Sequence, residues 1–283
     1  MIFAKKGPIV MTTKSIVNDR MLKIGIEEVH QRVLEIAKAF DKICVEHRIP
    51  YYMLGGTMLG AIRHKGFIPW DDDMDFGVPI EYYNLLESVL VSELPQTYRC
   101  CTYKNHPAVL HNFMKIEDLS TCIDDRAIDL PIDQKLGLNI DIFPLNKCQQ
   151  SGKKEKMIRN YATFMGMIYN NSITHSDSVL RRWIKTMLRV VCGYSPAKMQ
   201  RRIEKLLLAT NEGDFLANLL GRWKEKEIVP VEWYGSGVRY VFEDTTFVGL
   251  LEYDKYLTQL YGDYMSLPPE ESQIAHVENV YLR

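Results

Sequence analysis

The sequence predicts an α+β fold, with a sheet-based core followed by a mostly helical C-terminal region. Three observations carry this. Helical and strand-like spacings alternate from residue 24 to residue 91. Short apolar strands fill the chain up to residue 143, and helical spacing dominates beyond residue 150. The expected division is an N-terminal tail over 1–20, a core over 21–150, and a region over 151–283 that is mostly helical with one small hairpin.

From Ile24 to Ile49, apolar residues recur at helical spacing (Ile26, Val29, Val33, Ile36, Ala37, Phe40, Ile43, Cys44), and Pro50 ends the run. Tyr51 to Leu54 reads as a short buried strand. Gly55-Gly56-Thr57 reads as a turn that opens a short helix, Met58 to Arg63. His64 to Trp70, with Gly66 and Pro69, reads as a loop. Asp73 to Val78 alternates apolar and polar residues and reads as a strand, and Glu81 to Val91 as a helix. Tyr98 to Tyr103, Asn112 to Glu117 and Leu138 to Phe143 are further strands. The Gln/Gly/Lys-rich segment Gln149 to Lys154 changes the character of the chain. Helices are expected over Glu155–Tyr169, Val179–Val191 and Pro196–Ala209. A hairpin follows over Gly235–Gly249, then a last helix, Tyr253–Tyr261, and a Pro-rich tail.

Composition narrows the function classes. Hydrophobic residues make up 46% and charged residues 25%, so the chain is neither disordered nor collagenous. A formal net charge of −1 argues against a nucleic-acid binder. The apolar runs, such as Val248 to Leu251, are far shorter than the roughly 18 residues a membrane span needs. Lys5, Lys6, Gly7 and Pro8 interrupt the start where a signal peptide needs its apolar core. The 6 cysteines show no zinc-site spacing and read as reduced thiols of a cytoplasmic protein. No His-x-His or His-Glu-x-x-His pattern occurs, so any metal is expected on carboxylates.

The window Tyr52 to Pro79 carries the chemistry. Asp71, Asp73 and Asp75 would share one face of a strand, about 6–7 Å apart. Three like charges there call for a cation, and oxygen-only ligands suit Mg²⁺, or Mn²⁺. An EF-hand is excluded, because its sixth and twelfth positions would be Phe76 and Tyr82. Asp141 lies in the apolar run Leu138 to Phe143, where a carboxylate needs a partner. If that strand lies beside Asp73–Val78, Asp141 completes a three-carboxylate site. Gly55, Gly56 and Thr57 let a phosphate approach the backbone at a helix start. Arg63, His64 and Lys65 follow as cations for a diphosphate, and Lys115 joins the candidate substrate-binding residues. Together these point to metal-assisted transfer of a phosphorus-containing group. Solvated turns and ordinary core packing account for most such features taken singly; their convergence in one window carries the reading.

The run GGTMLGAIRHKGFIPWDDDMDFGVP resembles the signature of the LicD family, which includes bacterial phosphorylcholine transferases and, more distantly, fukutin and fukutin-related protein. LYGDYMSLPPEE, Leu260 to Glu271, resembles the family's C-terminal pattern. The resemblance implies a nucleotidyltransferase-like fold of the DNA polymerase beta type, a mixed sheet flanked by helices. Its Gly-Gly, Asp-x-Asp and later Asp fall on Gly55 and Gly56, Asp73 and Asp75, and Asp141. It also implies transfer of a phospho-alcohol from a donor such as CDP-choline to a hydroxyl of a cell-surface glycan (teichoic acid, lipopolysaccharide or capsule), releasing CMP. Asp73, Asp75 and Asp141 then act at the metal, with Asp71 as a further ligand, and the region after 150 completes the acceptor site. Two other readings stay open: a nucleotidyltransferase that releases pyrophosphate, and a non-catalytic glycan-binding protein on the same fold.

A choline group would require aromatic faces, for which Trp70, Trp233 and Tyr234 are the candidates. From Arg181 to Lys205, eight basic residues stand against the single acid Glu204, beside apolar Trp183, Ile184, Met187, Leu188 and Val191. This is either a packing helix with a solvated basic face or a contact with an anionic membrane on its inner, cytoplasmic side, where a lipid-linked acceptor would lie.

Overall fold

The computed structural model describes residues 21–124, 130–150, 152–169, 183–184, 186–187, 190, 195–273 and 279–283. The expected tail over 1–20 and most of the expected helix Val179–Val191 lie outside the described residues.

Helix α1 (Ile26–Glu46) buries the predicted stripe from Val29 to Cys44. Strand β1 (Tyr52–Met53) follows and pairs antiparallel with β2 (Asp75–Pro79). Between them lies α2 (Gly55–Arg63), and after β2 comes α3 (Ile80–Glu93). Strands β3 (Tyr98–Cys101), β4 (Met114–Asp118) and β5 (Thr121–Ile123) precede the long β6 (Asn139–Cys148). The main sheet runs β1-β2-β6-β4-β3, with β2 and β6 parallel and the other neighbours antiparallel. The expected mixed α+β architecture is thus present.

One face of this sheet is apolar. Met74, Phe76, Val78, Ile140 and Ile142 are fully buried. Phe40 of α1 and Tyr51 pack on Phe76, with ring centroids 5.0 and 5.6 Å away. Burial of each such large side chain stabilises the fold by about 1.5–3 kcal/mol. Since successive strand residues face opposite ways, this packing turns Asp75 and Asp141 to the other face.

Three local expectations change. Gly55-Gly56-Thr57 is the first turn of α2 itself, not a turn before it. Two glycines lower local helix propensity, but Gly55 takes φ +48 to leave β1, and its N–H donates to the Tyr256 hydroxyl at 3.1 Å. Strand β2 begins at Asp75 rather than Asp73, so Asp71 and Asp73 reach the site from an irregular approach.

The region after residue 150 is the third. It supplies helices α4 (Lys153–Tyr169), α5 (Pro196–Leu208), α6 (Val231–Tyr234) and α7 (Tyr253–Tyr261). It also supplies β7 (Phe215–Asn218) and β8 (Ile228–Pro230), which join the main sheet through the second half of β6. Strands of three and four residues are too short to show an alternation, so this contribution had no periodic signal. The expected hairpin is present as β9 (Val238–Phe242) and β10 (Thr245–Gly249). A final strand, β11 (Val280–Leu282), pairs with β5. A second core, with Cys148, Ile158, Met199, Ile203, Leu207 and Ala217, seats α4 and α5 against β6 and β7.

Candidate active site

The acids gather at the N-terminal end of the parallel pair β2 and β6. Asp75 and Asp141 are register partners, and the Asp141 N–H donates to the Met74 carbonyl at 2.9 Å. Carboxylate oxygens of Asp71, Asp72 and Asp73 lie within 4.8 Å of one another. Asp72, which the sequence pattern did not single out, is buried, while Asp73 is exposed. Burial first, then Asp73 and Asp72, push the Asp71 carboxyl up to about 8. Burial, then Asp73, Asp141 and Asp71, push Asp75 well above the carboxylate range, against the opposing pull of Lys115. Such shifts express burial first and like-charge repulsion second, both of which a cation relieves, and an all-oxygen donor set fits a hard ion such as Mg²⁺.

The N-terminus of α2 stands against the acids. A side chain on Gly56 would put its Cβ 2.6 Å from Asp71 Oδ2, so glycine is what lets the helix start stand against the acids. Its first-turn N–H groups and dipole favour anions. Thr57 is used internally: it is buried, and its hydroxyl accepts the Asp75 N–H at 2.7 Å, tying α2 to β2. Lys115 stands opposite Asp141 on β4. Its ammonium pairs with Asp141, donates to Asn139 Oδ1 at 3.0 Å and lies 5.3 Å from the Phe113 ring centroid.

The basic residues after α2 do different jobs. The Arg63 guanidinium donates to the carbonyls of Tyr264 and Ser266 at 2.8 and 3.3 Å and to His64 Nε2 at 2.9 Å. It therefore anchors the C-terminal motif. Burial lowers the His64 pKa, with Arg63 adding to the effect, and the ring meets Trp70 edge-on. Lys65 is exposed, with φ +61. Two residues outside the predicted set hold this loop. His30 of α1 donates from Nε2 to the Asp71 carbonyl at 2.6 Å and stacks on Phe67. Glu243, in the hairpin turn, accepts the Phe67 N–H at 3.0 Å, and its own N–H donates to the Lys65 carbonyl. Neither carried a sequence signal, because each acts across a long stretch of chain.

The aromatic candidates divide. Tyr234 is 2% exposed and packs edge-on against Tyr52 in the core, so it offers no face to a ligand. Trp233 and Trp70 are half-buried against the same core. The aromatic ring the structure brings to the acids is Tyr261. Burial, then Asp75 and Asp71, raise its pKa. It lies inside the C-terminal motif Leu260 to Glu271, which was the available signal.

Cys101, His106 and Glu117 also meet, buried, within 4.8 Å. Glu117 there accepts from Arg99 Nε at 2.7 Å, the Gly137 N–H at 2.8 Å and Cys101 Sγ at 3.0 Å. His106 Nδ1 accepts the Ala108 N–H at 3.2 Å, which leaves the ring proton on Nε2. These bonds read as a buried carboxylate satisfied by donors, not as a metal site.

Comparison with known proteins now bears on this geometry. The LicD/FKTN/FKRP nucleotidyltransferase domain matches residues 48–166, which include α2, β2 and β6. The lipopolysaccharide cholinephosphotransferase LicD of Haemophilus influenzae is 30% identical over 93% of this chain and 100% of its own length. The ribitol 5-phosphate transferase FKRP of Homo sapiens is 48% identical over 33 residues, 12% of this chain and 7% of its own. Among solved structures, the antibiotic-resistance factor ANT(2'')-Ia covers 64% of this chain and 91% of its own at 14% identity, with a TM-score of 0.26 too low to bear on the fold. The acid cluster at the start of α2 and the end-to-end match converge: the chain belongs to the LicD family, as a phosphotransferase.

Proposed function

We propose that this phosphotransferase moves phosphocholine from CDP-choline to a hydroxyl of a glycan of the lipopolysaccharide kind and releases CMP. The observation that carries the reading is the pairing of Asp75 with Asp141 beside the N-terminus of α2. It occurs in a chain that aligns end to end with a cholinephosphotransferase. The order of Gly-Gly, Asp-x-Asp and a later Asp on neighbouring elements agrees with a polymerase-beta-type nucleotidyltransferase core.

Asp71, Asp73, Asp75 and Asp141 would hold Mg²⁺, or Mn²⁺, which supplies charge neutralisation for the donor diphosphate. The first turn of α2 and Lys115 take phosphate oxygens. The acceptor hydroxyl attacks the choline-bearing phosphorus. The bond from that phosphorus to the bridging oxygen breaks, and the electron pair leaves with CMP. Asp141, beside Asp75 on the neighbouring strand, accepts the hydroxyl proton. His30 and Glu243 position the loop that delivers the acids, and Arg63 anchors the C-terminal motif beside it.

The acceptor side extends to the C-terminal region. Trp183, Ile184, Met187 and Val190 are 61%, 44%, 39% and 74% exposed and fall at the spacing of one helix face. Lys198, Arg201, Arg202 and Lys205 are exposed on α5. Apolar residues with basic neighbours suit peripheral contact with an anionic membrane surface that bears the acceptor. No described helix is long and apolar enough to cross a membrane.

The test is product analysis. Incubation with CDP-choline, Mg²⁺ and a lipopolysaccharide acceptor is expected to yield CMP and a phosphocholine-bearing glycan by mass spectrometry. Pyrophosphate from CTP, with no CMP from CDP-choline, would instead establish nucleotidyl transfer.

A further inference from the structure

We propose that Trp223 and Tyr261 form two walls of the subsite that takes the quaternary ammonium group of the donor; the inference rests on the phosphocholine reading above. A trimethylammonium group has no N–H and gains nothing from a hydrogen-bond acceptor, so its recognition depends on aromatic faces. The rings of Trp223 and Tyr261 meet at 77° with centroids 5.0 Å apart, which makes a corner rather than a stack. Trp223 is 37% exposed, so part of its surface is open to a ligand.

The corner borders the acids. Tyr261 Oη and Asp75 Oδ2 each lie 3.7 Å from the point where a Cβ on Gly55 would stand. In phosphocholine only an ester oxygen and two carbons separate phosphorus from nitrogen. A phosphate held at the acids therefore places the ammonium within reach of the corner.

The corner is also built. The backbone N–H of Trp223 donates to the buried carboxylate of Glu227 at 2.7 Å. Gln259 Nε2 donates to the Lys226 carbonyl at 2.7 Å, and Lys226 Nζ to the Leu260 carbonyl at 2.8 Å. These bonds clamp the loop before β8 to α7. The same Lys226 ammonium lies 5.7 Å from the Trp223 ring centroid, so the clamp also holds the ring's edge of the corner in place.

The experiment is calorimetric titration of CDP-choline, CDP-glycerol and CDP, each with Mg²⁺, into wild type, Trp223→Ala, Trp223→Leu and Trp223→Phe, with folding checked by circular dichroism. Loss of the π face is expected to weaken CDP-choline about tenfold in Trp223→Ala and Trp223→Leu, and to leave CDP and CDP-glycerol unchanged. Trp223→Phe is expected to keep most of the affinity. Unchanged CDP-choline affinity in Trp223→Ala overturns the subsite, as does equal weakening of all three ligands. A wild type that binds CDP-glycerol but not CDP-choline overturns the donor assignment itself, which is a different result from either.

Discussion

Asp75 stands directly beside Asp141 across the parallel strands β2 and β6, although two segments far apart in sequence supply them. The two carboxylates lie on the face of the sheet opposite the one on which Phe76, Ile140 and Ile142 are buried. Each acid therefore has its position set by core packing on the reverse face of its own strand.

Removing one of these charges separates chemistry from stability. Asp75→Asn is expected to lower the transfer rate about a hundred- to a thousandfold, on the scale seen when a transition-state electrostatic group is lost. The same change is expected to raise the melting temperature of the metal-free protein, because the isosteric amide ends the repulsion with Asp73, Asp141 and Asp71. Steady-state rates and thermal melts without metal check the two halves. A lower metal-free melting temperature would contradict the account of the site.

The pH dependence follows from burial of the acids together with their mutual repulsion. Asp71 is raised from 3.8 to about 8, so between those values the native protein holds more protons than the unfolded chain. Stability of the metal-free protein then falls as pH rises through that window. Mg²⁺ binds the deprotonated carboxylates, so its stabilising effect grows with pH. Melting temperatures with and without Mg²⁺ at pH 6 and pH 8 are expected to show the larger increment at pH 8.

Gly56→Ala tests the close approach at the start of α2. Its Cβ would lie 2.6 Å from Asp71 Oδ2, so the carboxylate or the helix must shift. A displacement of this size is expected to cost roughly a hundredfold in rate. Far-ultraviolet circular dichroism is expected to remain that of wild type, since alanine is compatible with the first turn of a helix.

Tyr234→Ala and Arg63→Ala distinguish core packing from loop anchoring. Tyr234 is 2% exposed, and its truncation is expected to cost about 3–5 kcal/mol of stability with no selectivity among CDP-alcohols. Arg63→Ala removes the donor to the Tyr264 and Ser266 carbonyls. It is expected to hasten limited proteolysis between residues 262 and 273 and to lower the transfer rate, with a smaller loss of global stability than Tyr234→Ala. Denaturant melts and timed digests check both.

Much of the core was legible in the sequence because its signals are local. The stripe from Val29 to Cys44 has the period of a helix, and Met74, Phe76 and Val78 alternate as a half-buried strand must. Asp141 was visible as a carboxylate in an apolar run. The glycine pair read as a turn because its low helix propensity conceals a helix start that Gly55 and Tyr256 make workable. The short β7 and β8 carried too few residues for any period, so the C-terminal region read as more helical than it is.

By itself, then, the sequence determined the alternation of elements, the acid-rich window and its glycine-led approach, since each depends on neighbours within a few residues. Tertiary structure alone decided that Asp141 lies beside Asp75, that Lys115 pairs with it, and that Tyr261 rather than Tyr234 reaches the acids. Those placements depend on strand order and on long-range hydrogen bonds such as Glu243 to Phe67 and Arg63 to Tyr264. Contacts of that kind leave no periodic trace in the chain, because what sets them is the burial of the opposite face of the sheet.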